Sequence, residues 1–236
     1  MLRPSLHSLK TMPGPSRTVD LRVTEPPPFQ TAGHSLIWPA LGLVCLWALA
    51  AAASPRVGFW TGMGSAALAL GLLASIADHS LWRLTFPIGL GAALYGAGSG
   101  LLMAVAAWVL YPALAVAAPW LSSDKAGLYA EFAALTPIHA ALLLPAIIAG
   151  EELVWRGLVQ HALTRRFGPI VALPLVAGLY GAATLPCRSP LLALAALGCG
   201  LVWSTLRLTG RGLIAPMVSH LTWAALVLFV RPVRLG

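Results

Sequence analysis

The 236-residue chain has no asparagine, three cysteines and seven acidic residues. Only 9% of its residues are charged, while 58% are hydrophobic. Soluble domains carry about 25% charged and about 45–50% apolar residues. The shortage of charge therefore excludes a water-soluble globular enzyme, and the apolar excess excludes a disordered chain. Cys45, Cys187 and Cys199 stand alone, in or beside apolar segments, with no CxxC among them. That excludes a disulfide framework and a zinc ribbon. The net charge is +8, but the cations are scattered through short loops with no basic run interleaved with aromatics. A nucleic-acid partner is not expected; the arginines suit the surface of an anionic bilayer. What remains is an all-α, polytopic transmembrane helical bundle whose first partner is the lipid bilayer.

The uncharged runs place the spans, since a helix needs about 20 apolar residues to cross roughly 30 Å of hydrocarbon. Leu36–Ala53 is closed by Ser54-Pro55-Arg56, and Val57–Ala77 is closed by Asp78. Leu84–Ser123 holds no charge across 40 residues. It reads as one span over residues 88–110, then a lipid-surface or loop segment broken by Pro112 and Pro119. Phe132–Gly150, Phe167–Cys187, Ser189–Leu206 and Gly212–Val230 bring the expected number to about seven. Residues 1–35 carry Arg3, Lys10, Arg17 and Arg22 with three consecutive prolines at 26–28. They read as a flexible basic tail rather than a signal peptide, because no apolar core region begins near the start. N-terminal membrane helices would fill 36–131 and a catalytic set of helices 132–232. Ala92, Gly96 and Gly100 repeat at four-residue spacing, a face on which two helix backbones approach closely. With the N-terminus inside, nine loop and tail cations fall on the inner side against five outside. Trp38, Trp60, Trp82, Trp120 and Trp203 lie near span ends and read as interface anchors.

The stretch that carries chemistry is Ala149-Gly150-Glu151-Glu152-Leu153-Val154-Trp155-Arg156-Gly157. Three ionisable residues end an otherwise apolar span, where each charge is unfavourable unless it has a partner or a task. Glu152 and Arg156 are four apart, so they meet on one helix face as an ion pair. Glu151 is rotated about 100° from its neighbour and is available to a cavity. A carboxylate in a low-dielectric pocket is a usable general base, able to take a proton from water. The plain alternative is a charge cluster at the membrane edge.

Glu151-Glu152-x-x-x-Arg156-Gly157 resembles the first motif of the CPBP family, which comprises CAAX prenyl endopeptidases and abortive-infection and bacteriocin-processing proteins. The resemblance runs over roughly residues 132–230. It implies a helical intramembrane peptidase in which the first glutamate activates water, with no cofactor. The family's second motif is an aromatic residue followed four positions later by histidine. Its third is histidine followed four positions later by asparagine or aspartate. Tyr180 fits the aromatic position, but Thr184 stands where histidine belongs. His220 fits the third motif, but Ala224 stands where asparagine belongs. A threonine hydroxyl donates one hydrogen bond and does not titrate near neutral pH. Losing one oxyanion donor typically costs a factor of about 10²–10³ in turnover. The implied catalytic set is Glu151, Glu152, Arg156 and His220, with Thr184 as a weak substitute donor. The substrate would be a peptide or membrane-protein segment, and the location a multi-pass protein of the bacterial cytoplasmic membrane.

Zinc usually takes three protein ligands, but His139 and His161 lie about 18 Å and 15 Å along a straight helix from Glu151. Kinks at Pro145 or Gly150 move atoms by only a few ångströms, so zinc is disfavoured. Cys187 as a nucleophile paired with His220 competes with its reading as a small apolar residue. Ser204 and Thr205 suit bonds to backbone carbonyls within a span. A transporter would call for paired broken spans in two related halves, and the sequence shows no such symmetry. A catalytically impaired relative serving as an immunity or scaffold protein is the main alternative.

Overall fold

The computed structural model describes residues 33–85, 89–210 and 212–230. The expected basic tail lies outside the described residues up to position 32, as do Arg211, Arg231 and Arg234. The described residues form helices with no strand among them. These are α1 (Gly33–Val57), α2 (Phe59–Ala77), α3 (Ser80–Thr85), α4 (Leu90–Ala117), α5 (Trp120–Ala133), α6 (Pro137–Glu152), α7 (Gln160–Phe167), α8 (Pro169–Thr184), α9 (Pro190–Thr209) and α10 (Ile214–Ala225). α6 passes into α7 through a wider π turn at Leu153–Val159, so that Pro137–Phe167 is one helix of 31 residues. Six helices are long and apolar enough to cross a membrane, and Ile214–Val230 is a shorter apolar one. The chain is therefore a polytopic helical membrane bundle, as its hydropathy predicts.

Three boundaries depart from the sequence reading. α4 runs through Pro112 to Ala117 rather than ending near residue 110. Neighbouring groups in a bundle re-satisfy the backbone that a proline frees. The segment after it is not a loop but the 14-residue helix α5, with Pro119 as its N-cap. The fourth span starts at Pro137, where Thr136 caps the helix and proline's fixed φ suits the first turn. It does not stop at Glu151, because the charges there pair inside the bundle instead of emerging into water.

Packing is inverted relative to a soluble protein. Leu49, Leu72, Leu102 and Leu142 face outward, whereas Ser75, Gln160, Ser204 and Ser219 are buried. With lipid as apolar as leucine, helices associate through small residues and interhelical polar contacts. Two such seams position the chemistry. A Cβ on Gly71 would lie 2.6 Å from the Gly150 Cα, so α2 and α6 touch backbone to backbone beside the paired glutamates. On α4, Gly96 and Gly100 sit against the backbone of Ala215 and Ser219, which brings α10 in at the turn bearing His220. The four-residue glycine spacing thus serves helix packing, and that packing sets the depth of the histidine.

α5 lies across one end of the bundle and is fastened to three spans. Asp124 Oδ2 accepts the Leu191 N–H at 2.8 Å and Glu131 Oε2 accepts the Phe59 N–H at 2.6 Å. Both carboxylates meet the positive end of a helix, α9 and α2 respectively. Tyr129 donates its hydroxyl to the Val227 carbonyl at 2.7 Å. At the other end, Gly168 adopts φ +79° in the reversal between α7 and α8, a conformation that L side chains resist.

Candidate active site

Directly after Glu152 the helix widens into the π turn, a feature that often marks functional sites. Val154, Trp155 and Leu158 are fully buried there and anchor the turn in the core. Within this frame Glu152 and Arg156 are both completely buried and paired, Nη1 to Oε1, at 3.3 Å. The same Oε1 receives His220 Nδ1 at 2.9 Å. An ionised carboxylate only accepts, so the proton of this bond sits on Nδ1. The other ring nitrogen, Nε2, then faces Glu151, with 3.7 Å to its Oε2. Tyr180 donates its hydroxyl to that same Oε2 at 3.1 Å.

Aromatic rings fix this arrangement from behind. The His220 imidazole stacks on Trp203 with centroids 3.7 Å apart and planes 19° from parallel. The Arg156 guanidinium lies over the rings of Tyr180 and Trp203, at 4.9 Å and 5.0 Å. Arg156 Nε and Nη2 have no hydrogen-bond acceptor, so the ring faces supply part of what they lack. Gly200 packs beside this group, where a Cβ would stand in ordinary contact with Nη2 at 3.4 Å.

Glu151, Tyr180, Thr184 and His220 line one cavity of about 630 Å³. Its other walls are apolar side chains of α2, α4, α6, α9 and α10, and α5 lies along one side. Chemically the arrangement offers an acidic oxygen and an imidazole nitrogen 3.7 Å apart. A water about 2.8 Å from each would fit as the third corner of a triangle. The apolar surroundings would strengthen each polar interaction made there.

Of the residues picked from sequence, Glu151, Glu152, Arg156 and His220 converge on one spot. Glu152 and Arg156 meet as the i, i+4 spacing predicts, but their common neighbour is His220, with Glu152 as the link. Thr184 lines the cavity, yet its hydroxyl donates to the Tyr180 carbonyl at 2.8 Å. Its proton is thereby engaged within its own helix. His139 bonds Thr136 at 2.9 Å, and His161 pairs with Asp78 at 3.0 Å. Among the described residues no group of three or more His, Cys, Asp or Glu is arranged to hold a metal ion. Cys187 sits against Ser54, with Sγ 3.7 Å from Oγ.

One sequence reading needs correction. Trp203 is no interface anchor: it is buried in the core as the platform for His220. Its position near the end of a span concealed an inward-facing side chain. Trp60 likewise packs between Phe59 and Phe132 instead of meeting the headgroups. Trp38, Trp82 and Trp120 are exposed near helix ends. From sequence Tyr180 reads only as an aromatic; its bond to Glu151 crosses between helices and leaves no local signal.

Comparison with curated proteins gives no match, and comparison with solved structures gives none. A family model does match, over residues 132–226, a segment that runs from the end of α5 through α10 and contains Glu151, Glu152, Arg156, Tyr180, Thr184 and His220. Its description is type II CAAX prenyl endopeptidase Rce1-like, so residues 132–226 of this integral membrane protein are similar to that family of CAAX-type proteases.

Proposed function

We propose that the protein is an intramembrane endopeptidase in which Glu151 activates water against a peptide bond of a membrane-associated substrate. The observation that carries this reading is the meeting of Glu151 and His220 in a single cavity, with Tyr180 bonded to the same carboxylate. Glu151 takes a proton from water as the oxygen attacks the carbonyl carbon. The tetrahedral oxyanion that forms needs donors. The Tyr180 hydroxyl and a protonated His220 Nε2 are the candidates in reach. Collapse breaks the C–N bond, and the departing amine takes the proton held by Glu151 or by His220.

Glu152 acts at one remove. Its oxygen holds the Nδ1 proton, which fixes the imidazole tautomer and leaves Nε2 facing the cavity. Arg156 pairs with the same Glu152 oxygen, and Trp203 fixes the plane of the ring. The pair is thus assigned to positioning His220. No cofactor enters this scheme. With a co-expressed prenylated peptide substrate, His220→Ala and Glu151→Gln should both abolish cleavage. Cleavage at the wild-type level in either variant removes that residue from the mechanism.

One observation favours a second reading. Thr184 has its hydroxyl proton engaged by Tyr180, and Ala224 has no polar group where the family carries asparagine. A chain short of two family donors would serve as a peptide-binding scaffold. In that case the purified protein binds the substrate peptide without cleaving it, and Glu151→Gln leaves its cellular effect intact.

A further inference from the structure

The segment similar to the peptidase family begins at residue 132, yet one wall of its cavity comes from the first helix. The inward face of α1 is Ala40, Leu43, Trp47, Ala51 and Ser54, all buried and spaced three or four apart. Ala40, Ala51 and Ser54 are small, which lets α1 lie close to the bundle. Trp47 is the only aromatic among the five. It is 1% exposed and lines the cavity that holds Glu151 and Tyr180.

Three side chains surround the Tyr180 ring. The Arg156 guanidinium lies over it at 4.9 Å, and Trp155 packs against it at 4.7 Å with planes 36° apart. Both belong to the π turn that follows Glu152. Trp47 meets the same ring edge-to-face from α1, with centroids 6.2 Å apart and planes at 74°. It also meets Trp155 at 5.5 Å and 77°, which closes a triangle of three rings. Aromatic pairs prefer defined geometries, so each ring limits the placement of the other two. The phenol has little to spare. Its bond to Glu151 Oε2 is 3.1 Å long, already past the roughly 2.5–3.0 Å usual for O–H···O, and a ring shift of about 1 Å would break it.

We propose that Trp47 is a positioning residue that holds the Tyr180 phenol on the Glu151 carboxylate, so that α1, outside the matched segment, is part of the catalytic structure. This rests on the peptidase reading of the same cavity. Without the indole the triangle is open on one side, and the phenol gains room to leave Glu151. The loss then falls on kcat, because the phenol serves the carboxylate and the oxyanion rather than the bound chain.

A double-mutant cycle tests this in nanodiscs with a quenched prenylated peptide. Trp47→Leu should lower kcat about 10²-fold, nearly as far as Tyr180→Phe, with KM changed by less than about twofold. Trp47→Phe keeps a ring in place and should hold kcat within about threefold of the wild type. In the Tyr180→Phe background, Trp47→Leu should cost less than about threefold more, because the group it serves is already gone. A merely structural loss multiplies in full there, as whatever Leu43→Ala costs, one turn earlier on α1, should do. Melting temperatures confirm folding, and Trp47→Met replaces Trp47→Leu if the latter does not fold. Placement is also read without cleavage, by fluorine NMR of protein labelled with 3-fluorotyrosine. The Tyr180 line is the one that Tyr180→Phe removes; it should shift and broaden in Trp47→Leu and stay narrow in Trp47→Phe. Full multiplication in the cycle, a wild-type kcat in Trp47→Leu, or an unchanged Tyr180 line overturns the proposal. A wild-type protein that cleaves nothing removes the peptidase reading instead, and the fluorine line still decides whether Trp47 holds the phenol.

Discussion

Adding a single methyl group at Gly150 tests how tightly the site depends on a helix seam. A Cβ there would stand 2.6 Å from the Ala67 carbonyl carbon and closer still to its oxygen. Ordinary contact begins near 3.4 Å, and the opposing group is backbone, not a flexible side-chain tip. Gly150→Ala must therefore push α6 from α2 by about 1 Å, with an overpacking cost of about 1–3 kcal/mol. Glu151 and Glu152 are the next two residues and move with the helix. A misplacement of about 1 Å at reacting groups can cost about 10²-fold in rate. Thermal melts in nanodiscs should show a modest loss of stability, and cleavage of a quenched peptide should fall about a hundredfold in kcat. Gly178→Ala is the control, because a Cβ there meets nothing within 4 Å. A Gly150→Ala protein that cleaves at the wild-type rate would refute the claim that this seam sets the carboxylate positions.

Other outcomes follow from the same geometry. Glu152→Gln leaves the buried Arg156 charge unpaired and should cost about 3–5 kcal/mol of stability, seen as a large drop in melting temperature. Tyr180→Phe removes the donor to Glu151 Oε2 and should lower kcat about 10²-fold with little change in KM. Trp203→Leu removes the stacking platform and should lower activity while Glu152–Arg156 pairing is kept, so its melting temperature should fall less than that of Glu152→Gln. At the end of α2, burial raises the Asp78 pKa, but hydrogen bonds from Ser80 and the nearby His161 outweigh it and hold the carboxyl below 3.8. A carboxyl depressed in the folded state stabilises above its unfolded value, and that stability is lost as pH falls through the folded one. Wild-type melting temperature should therefore drop more steeply below about pH 4 than that of Asp78→Asn; parallel curves would contradict the assignment.

Much of the arrangement is readable from residue order because it follows helical spacing. Glu152 and Arg156 are one turn apart, Gly96 and Gly100 repeat on one face, and the uncharged runs fix the spans. What stayed hidden depends on contacts between distant segments. Nothing local in Leu153–Val159 announces a π turn, which is stabilised by tertiary packing around Trp155. The inward face of Trp203 could not be told from an interfacial one by its place near a span end. The helical nature of α5 was masked by Pro112 and Pro119, although Asp124 and Glu131, seven residues apart, lie on one side of such a helix. The coupling of Glu152 to His220 joins residues 68 positions apart and needed the fold to appear.

We propose Glu151, and not its paired neighbour, as the group that handles the proton of the attacking water. Single-turnover cleavage by purified Glu151→Gln, with its melting temperature taken alongside, tests it most directly. At least a thousandfold loss of rate with the fold retained is expected. A loss below about tenfold in a normally folded Glu151→Gln protein would contradict it.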